Sequence, residues 1–209
     1  MHIPDGYLSP AVWLAMDVVA VGAVAGSARV VEKRLGERQV PALAVTAAFI
    51  FAAQMINFPV AAGMSGHLLG GALAGILLGP WSGTLVMTTV VTTQCLLFRD
   101  GGLTALGANV FNMAILSVLA GCAVWRAGGA LPGKGNPRAV AFAAAWVSVV
   151  LAALAAGLQL FLSGRAGPVV LAAMLAAHAL IGIGEGLVTT AALSTLGSVR
   201  PDLLEAERV

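Results

Sequence analysis

Residues 139–162 read AVAFAAAWVSVVLAALAAGLQLFL, an apolar stretch that lies between Arg138 and Arg165 and contains no charged residue. As a helix this stretch would rise about 36 Å, enough to cross the ~30 Å hydrocarbon core of a bilayer. The rest of the chain is similar, since 59% of its 209 residues are hydrophobic and only 10% are charged. Soluble domains carry roughly 25% charged residues. The composition therefore predicts an all-α integral membrane protein and excludes a soluble globule, a disordered chain and a coiled coil.

Apolar stretches of similar length recur along the chain, separated by glycine, proline or charged residues. There are seven of them: 11–31, 40–58, 61–79, 81–98, 103–125, 139–162 and 168–196. The third is the weakest, because its unbroken part, 67–79, would span only ~20 Å as a helix. It reaches full length only if residues 61–66, which contain two glycines, join it. The pattern predicts seven transmembrane helices in a single transmembrane domain, 1–209.

The distribution of basic residues predicts the orientation of these spans. With seven spans and the N-terminus outside, nine basic residues lie in cytoplasmic loops and two in outer loops. If the third stretch does not cross, the ratio becomes six to five. The nine are Arg29, Lys33, Arg34, Arg38, Arg126, Lys134, Arg138, Arg200 and Arg208, and the two are Arg99 and Arg165. The positive-inside rule therefore favours an outer N-terminus and an inner C-terminus, and a net charge of +2 provides no surface for nucleic acid.

Most polar residues of the apolar stretches fall near the predicted outer face. They are Asn57, His67, Gln94, Asn109, Asn112 and, about a third of the way down the last span, His178. Polar groups in a membrane are costly, so their shared depth indicates a polar site that opens outward. Each of them could equally form hydrogen bonds between helices. The depth pattern favours several of them as a second shell around a ligand.

A different polar set could carry protons. His178 and Glu185 are seven residues apart and lie on nearly one face of a helix, and Asp17 lies two turns into the first span. Together they could form a proton relay or a metal pair, as in a secondary transporter that works alone. A neutral histidine and a protonated glutamate packed in the bundle explain the same spacing.

Two short motifs resemble enzyme signatures. Residues 128–134, GGALPGK, match half of a phosphate-binding loop, but Gly135 stands where serine or threonine should hold magnesium. We therefore expect no ATP hydrolysis by this chain itself. Residues 63–66, GMSG, resemble the serine turn of an intramembrane protease, with His178 as the base. Four residues in a glycine-rich chain are weak evidence for that enzyme.

The first ten residues, MHIPDGYLSP, are polar and rich in turn formers, so we expect no cleavable signal peptide. Met1 should remain in place, since the large His2 follows it. The α-amine, the amide nitrogen of residue 2 and the His2 imidazole can then chelate one metal through a five- and a six-membered ring. His67 is the natural fourth ligand of this square, a geometry that suits Ni(II) and Cu(II). Pro4 then stiffens the turn, and Asp5 can cap it. Alternatively, His2 is an ordinary residue on a frayed terminus.

Several stretches together resemble the CbiM/NikM family of substrate-specific membrane subunits in energy-coupling-factor transporters for nickel and cobalt. They are MHIPDGYLSP (1–10), NFPVAAGMSGH (57–67), GPW (79–81), QCLLFRDGGLTALGANVFNM (94–113), and Ala177-His178 followed by Gly184-Glu185. The resemblance covers essentially the whole chain. It implies seven helices, with an N-terminal segment, 1–10, inserted into the bundle and metal bound by Met1, His2 and His67. It also implies a transmembrane coupling protein, a pair of cytoplasmic ATPases and often a small accessory membrane subunit.

Three functions remain to be compared with the structure. The leading hypothesis is a binding subunit in a bacterial or archaeal plasma membrane that captures Ni²⁺ or Co²⁺ from outside while partner ATPases supply the energy. The alternative is a proton-coupled secondary metal transporter that uses His178, Glu185 and Asp17. The third hypothesis is a membrane protease. In each case the chain meets membrane lipid and no nucleic acid.

Overall fold

The computed structural model describes residues 1–59, 65–130 and 136–201, and this part of the chain is a bundle of helices. The helices are α1 (Pro10–Arg34), α2 (Val40–Gln54), α3 (Gly71–Phe98), α4 (Leu106–Val110), α5 (Ser117–Ala130), α6 (Pro137–Leu162) and α7 (Pro168–Val199). A 3₁₀ turn, Glu37–Gln39, precedes α2, and a π-helical turn, Phe111–Leu116, joins α4 to α5. Two short strands, β1 (Phe58–Pro59) and β2 (Ser65–Gly66), pair antiparallel before α3. The prediction of an all-α membrane protein is confirmed.

Among the described residues, five helices are long and apolar enough to cross a membrane. They are Pro10–Arg34, Gly71–Phe98, Leu106–Ala130, Pro137–Leu162 and Pro168–Val199. The predicted spans 11–31, 103–125, 139–162 and 168–196 each correspond to one of these helices. The predicted span 40–58 is shorter than expected, because α2 ends at Gln54.

The third predicted span, 61–79, is wrong as a full-length helix. Residues 61–64 lie outside the described part, 65–70 are not helical, and only the first turns of α3 are helical before Gly79. Gly79 has φ 80° and ψ 166° and precedes Pro80, so the helix breaks there. Proline lacks an N–H and disfavours helical geometry in the residue before it, while glycine tolerates a positive φ.

The two arms of α3 fold back on each other at this break. A Cβ atom on Gly83 would lie 3.1 Å from the carbonyl carbon of Ala74, although nine residues of straight helix would separate them by about 13 Å. The first arm, 71–78, is only about 12 Å long and cannot cross a bilayer as a helix by itself. The predicted boundary between the spans 61–79 and 81–98 coincides with this break, whereas the length of the helix before it was overestimated.

Close contacts at glycine hold the centre of the bundle. A Cβ on Gly121 of α5 would lie 2.6 Å from the Cα of Ala72, and one on Gly75 of α3 would lie 2.6 Å from the Cys122 sulfur. On α7, Gly182 packs in the same way against Trp146 of α6. These contacts place the first arm of α3 against α5, and α6 against α7. The first arm begins only four residues after His67, so this packing also positions the segment that carries His67.

Candidate metal centre

The N-terminal segment, residues 1–10, is inserted into the bundle by its first three residues. Met1 and Ile3 are completely buried and His2 is 2% exposed. The Ile3 N–H donates to Asn109 Oδ1 at 2.8 Å, and the Ile3 carbonyl accepts from Asn109 Nδ2 at 3.1 Å. The same carbonyl accepts from the Gly102 N–H at 2.9 Å. These bonds satisfy a backbone that is buried without secondary structure of its own. The alternative of a frayed terminus is therefore wrong.

A second anchor lies at Asp5. Its carboxylate accepts hydrogen bonds from the Leu103 N–H at 3.1 Å, the Thr104 N–H at 2.8 Å and the Thr104 hydroxyl at 2.6 Å. The bonds from Thr104 lower the pKa of Asp5 below its usual range. The expectation that Asp5 caps its own turn is wrong, because the loop between α3 and α4 offers it three donors. Gly102 has to lack a side chain here, because a Cβ would overlap Asp5 and Pro4.

The two predicted histidine ligands meet beside this anchored segment. His2 Nδ1 and His67 Nε2 are 3.2 Å apart, and the ring centroids are 4.9 Å apart. His67 is 1% exposed, and its Nδ1 lies 2.7 Å from the carbonyl oxygen of Leu68. A carbonyl only accepts, so Nδ1 carries the hydrogen of His67 and Nε2 presents its lone pair to His2. This is the tautomer that a metal ligand requires.

Asp100 completes this group. Its Oδ1 lies 3.2 Å from His2 Nδ1. Burial opposes ionisation of Asp100, but the hydrogen bond from His2 outweighs it, so the pKa of Asp100 lies below the usual range. Both neighbours of His2 Nδ1 only accept, so His2 carries its hydrogen on that atom. Sequence reasoning missed Asp100, although it lies inside the 94–113 motif.

Burial keeps the N-terminal nitrogen donors uncharged. The Met1 α-amine is buried, and desolvation lowers its pKa to about 4 against the opposing effect of Asp100. Desolvation also lowers the pKa of His2, which Asp100 counteracts only in part. A neutral amine and a neutral imidazole have lone pairs available at neutral pH, and those lone pairs are what a transition metal binds.

The geometry fits adjacent corners of a square-planar site. With metal–nitrogen distances of about 2.0 Å, two adjacent nitrogens lie about 2.8 Å apart. The observed 3.2 Å between His2 Nδ1 and His67 Nε2 is close to that separation. Within residues 1–59, 65–130 and 136–201, no three His, Cys, Asp or Glu side chains converge.

The other residues predicted near the site have different roles. Gln94 is completely buried next to His2, and neither amide atom has a hydrogen-bond partner within the described residues. Asn57 is exposed, with its Nδ2 3.4 Å from Asp100 Oδ2. Asn109 holds Ile3, as described above. The side-chain amides of Asn112 and Gln159 of α6 instead donate hydrogen bonds to each other, at 2.8 and 2.9 Å, and so join helices.

The alternative proton relay is not assembled. Asp17 accepts from the Gly107 N–H at 2.9 Å, whereas Glu185 accepts from the backbone before α3. His178 is buried, its Nδ1 lies 2.8 Å from the Met174 carbonyl, and its Nε2 has no hydrogen-bond partner in the described part. Each of the three side chains thus forms its hydrogen bonds with the backbone and not with the other two side chains.

Neither enzyme-like motif gains support. Gly63 and Met64 of the protease-like turn lie outside the described residues, and so does the Ser65 side chain. In the loop that resembles a phosphate-binding motif, residues 131–135 also lie outside them, while Gly128 belongs to α5.

Comparison with known proteins and the geometry of the site indicate the same class of protein, a membrane protein that handles a transition metal. Residues 2–203 match the CbiM family, described as the cobalt uptake substrate-specific transmembrane region. A crystal structure of a truncated transition metal transporter superposes with a TM-score of 0.89 at 34% identity, covering 95% of this chain and 99% of that one.

Two relatives extend the match to nearly the whole chain. A putative fused nickel transport protein NikMN of Archaeoglobus fulgidus is 43% identical over 208 residues, covering 98% of this chain and 68% of the relative. A putative metal transport protein of Haloquadratum walsbyi is 43% identical over 208 residues, covering 98% and 93%. The chain belongs to the CbiM family. It is a multi-pass plasma-membrane protein of the CbiM/NikMN type, a family of nickel and cobalt transport.

Asn109 provides a test of how the N-terminal segment is held. Asn109→Ala removes both bonds to Ile3, so we expect Ni²⁺ affinity to fall by about 10- to 100-fold, as for other residues that orient metal ligands. Asn112→Ala is the matched control, since Asn112 is equally buried three residues further on but pairs with Gln159. Competition with a chromophoric chelator measures the affinity of both variants. Equal losses in the two would contradict a specific role for Asn109.

Proposed function

We propose that this chain is the substrate-binding membrane subunit of an energy-coupling-factor transporter that imports Ni²⁺ or Co²⁺. The Met1 amine, His2 and His67 capture the metal from the outer side. The observation that carries the proposal is the buried His2–His67 pair, 3.2 Å apart, with His2 on an N-terminal segment fixed by Asn109 and Gly102 at Ile3 and through Asp5.

The donor set follows from the chemistry of a free N-terminus. The α-amine, the deprotonated amide nitrogen of His2 and His2 Nδ1 occupy three corners of a square plane in two fused chelate rings. His67 Nε2 takes the fourth corner, next to His2 Nδ1. The metal replaces the hydrogen on His2 Nδ1, so the ring then carries its hydrogen on Nε2. Gln94, which lies beside His2 with an unpartnered amide, can accept that hydrogen after a small rotation.

Square-planar nitrogen coordination explains the choice of metal class. Only a strongly polarising late metal displaces an amide proton, and nitrogen-rich square-planar sites suit Ni(II) and Cu(II). The names of the fused relatives refer to nickel, and the family description refers to cobalt. We therefore propose Ni²⁺ or Co²⁺ as the metal carried by this chain.

The proposed topology has seven crossings, with the N-terminus outside and the C-terminus inside. The excess of basic residues on one side supports it. The fold-back of α3 at Gly79 supports it too, because the chain reverses direction between the third and fourth segments. The third crossing then combines the segment before α3 with the short first arm. His2 and His67 lie at the outer end in this orientation.

Energy for transport comes from partner proteins in this proposal. The chain has no complete nucleotide-binding motif, so a pair of cytoplasmic ATPases hydrolyses ATP. A transmembrane coupling protein transmits the resulting conformational change to this chain. A small accessory membrane subunit can join them. Names such as fused NikMN and LarMN support a system in which this kind of chain acts together with further components.

A one-residue N-terminal extension tests the metal site directly. The added residue converts the Met1 amine into an amide and moves the new amine away, so we expect Ni²⁺ or Co²⁺ binding to be lost. Met1 and Ile3 are buried in the core, so the melting temperature must be measured alongside. The same residue added at the C-terminus is the control. Metal content by elemental analysis, with intact mass to establish the first residue, measures the outcome. Full metal stoichiometry in a folded, extended protein would exclude the amine.

Reconstitution tests the dependence on partners. In liposomes, the chain alone should bind metal without concentrating it, because it has no energy source. Addition of the coupling protein, the ATPases and ATP should produce uptake, and an ATPase pair that binds but cannot hydrolyse ATP is the control. Radioactive nickel retained in the vesicles provides the measurement. Proton-driven accumulation by the chain alone would support a secondary transporter instead.

A further inference from the structure

Glu185 of α7 holds the segment that carries His67. Its carboxylate is 2% exposed and accepts from the Leu69 N–H at 2.7 Å and from the Gly70 N–H at 2.5 Å. Leu69 and Gly70 directly precede α3, whose first N–H groups have no partner within the helix. A carboxylate suits this position, because it only accepts hydrogen bonds and its charge is favourable at a helix N-terminus.

Two further contacts fix the same segment. Gln54 at the end of α2 donates from Nε2 to the Leu69 carbonyl at 2.5 Å. Gly70 has φ +81°, and a Cβ there would lie 2.7 Å from Ile50, so the backbone is tightly enclosed. Leu69 is completely buried. The segment 67–70 is thus attached to α7 through Glu185 and to α2 through Gln54.

The orientation of the His67 ring depends on the backbone of this segment. The Leu68 carbonyl accepts the hydrogen on His67 Nδ1 at 2.7 Å, which directs Nε2 towards His2. Leu68 is joined to Leu69, whose N–H and carbonyl are both held. A metal site tolerates ligand displacements of only ~0.5 Å. A small shift of the backbone at Leu68 and Leu69 would therefore move His67 Nε2 out of place.

We propose that Glu185 is a positioning residue for the metal site. Glu185 fixes the position of His67 Nε2 by holding the backbone of Leu69 and Gly70. This proposal rests on the proposed function, in which His67 is a ligand. Glu185 does not touch the metal. It acts through the segment 67–70, and its whole effect on metal binding passes through His67.

A double-mutant cycle tests this path. Glu185→Gln keeps the size of the side chain but replaces one acceptor oxygen by an NH₂ group that faces a backbone N–H. We expect it to weaken Ni²⁺ binding by about 10- to 100-fold and to shift the visible absorption of bound Ni²⁺ towards that of His67→Ala. In a His67→Ala background, where the three N-terminal nitrogens and water still hold the metal, Glu185→Gln should change affinity by less than about 2-fold.

Two controls separate positioning from general stability. Thr190→Val removes the bond from Thr190 Oγ1 to the Arg138 carbonyl, 3.3 Å long, which joins α7 to the start of α6. It should lower the melting temperature without shifting the absorption of bound Ni²⁺. Glu185→Asp retains both acceptor oxygens and should restore part of the affinity that Glu185→Gln loses. If Glu185→Gln does not fold, Glu185→Asp takes its place in the double-mutant cycle.

The outcomes are distinguishable from a failure of the proposed function. If His67→Ala leaves binding unchanged, His67 is not a ligand, and both proposals are wrong. If His67→Ala weakens binding but Glu185→Gln does not, only the positioning role is wrong. Equal losses from Glu185→Gln with and without His67 would also overturn it, because they would show an effect on the fold as a whole.

Discussion

The burial of three N-terminal residues is the constraint on which the rest of the site depends. A buried backbone segment outside a helix or sheet must find hydrogen-bond partners in the surrounding protein, or it costs several kcal/mol. Here Asn109 serves both backbone groups of Ile3, the Gly102 N–H donates to the same Ile3 carbonyl, and Leu103 and Thr104 hold Asp5. The loop between α3 and α4 is consequently shaped around the N-terminal segment. Without that loop, His2 would have no fixed position.

The two histidines of the site are held by residues that lie at opposite ends of α3. His2 is fixed by the loop after α3, whereas His67 is fixed just before α3 by Glu185 and Gln54. The fold-back of α3 at Gly79, together with its close contact with α5, determines where these two ends of the helix lie. Ligand geometry is therefore a property of the whole bundle.

Sequence pattern predicted the helices well where one apolar stretch forms one helix, as at α6 and α7. It placed the boundary between 61–79 and 81–98 at Gly79-Pro80, where α3 breaks, but it was wrong about 61–79 as one helix, since hydropathy does not register that residues 65–70 are not helical. At the site, His2 and His67 were found because their residue types and the surrounding motifs are distinctive. Asp100 and the true partners of Asp5 and Glu185 were missed, because their hydrogen bonds link residues far apart in sequence. Such pairings depend on tertiary packing that no local spacing encodes.

X-ray absorption spectroscopy of the Ni²⁺-loaded protein tests the central claim most directly. The account predicts four nitrogen donors at about 2 Å in a square plane, with imidazole scattering from two rings and no sulfur in the first shell. The pre-edge signature of square-planar nickel provides a second, independent readout in the same measurement. An octahedral, oxygen-rich environment, or a bond to sulfur, would contradict a site built from the N-terminal nitrogens, His2 and His67.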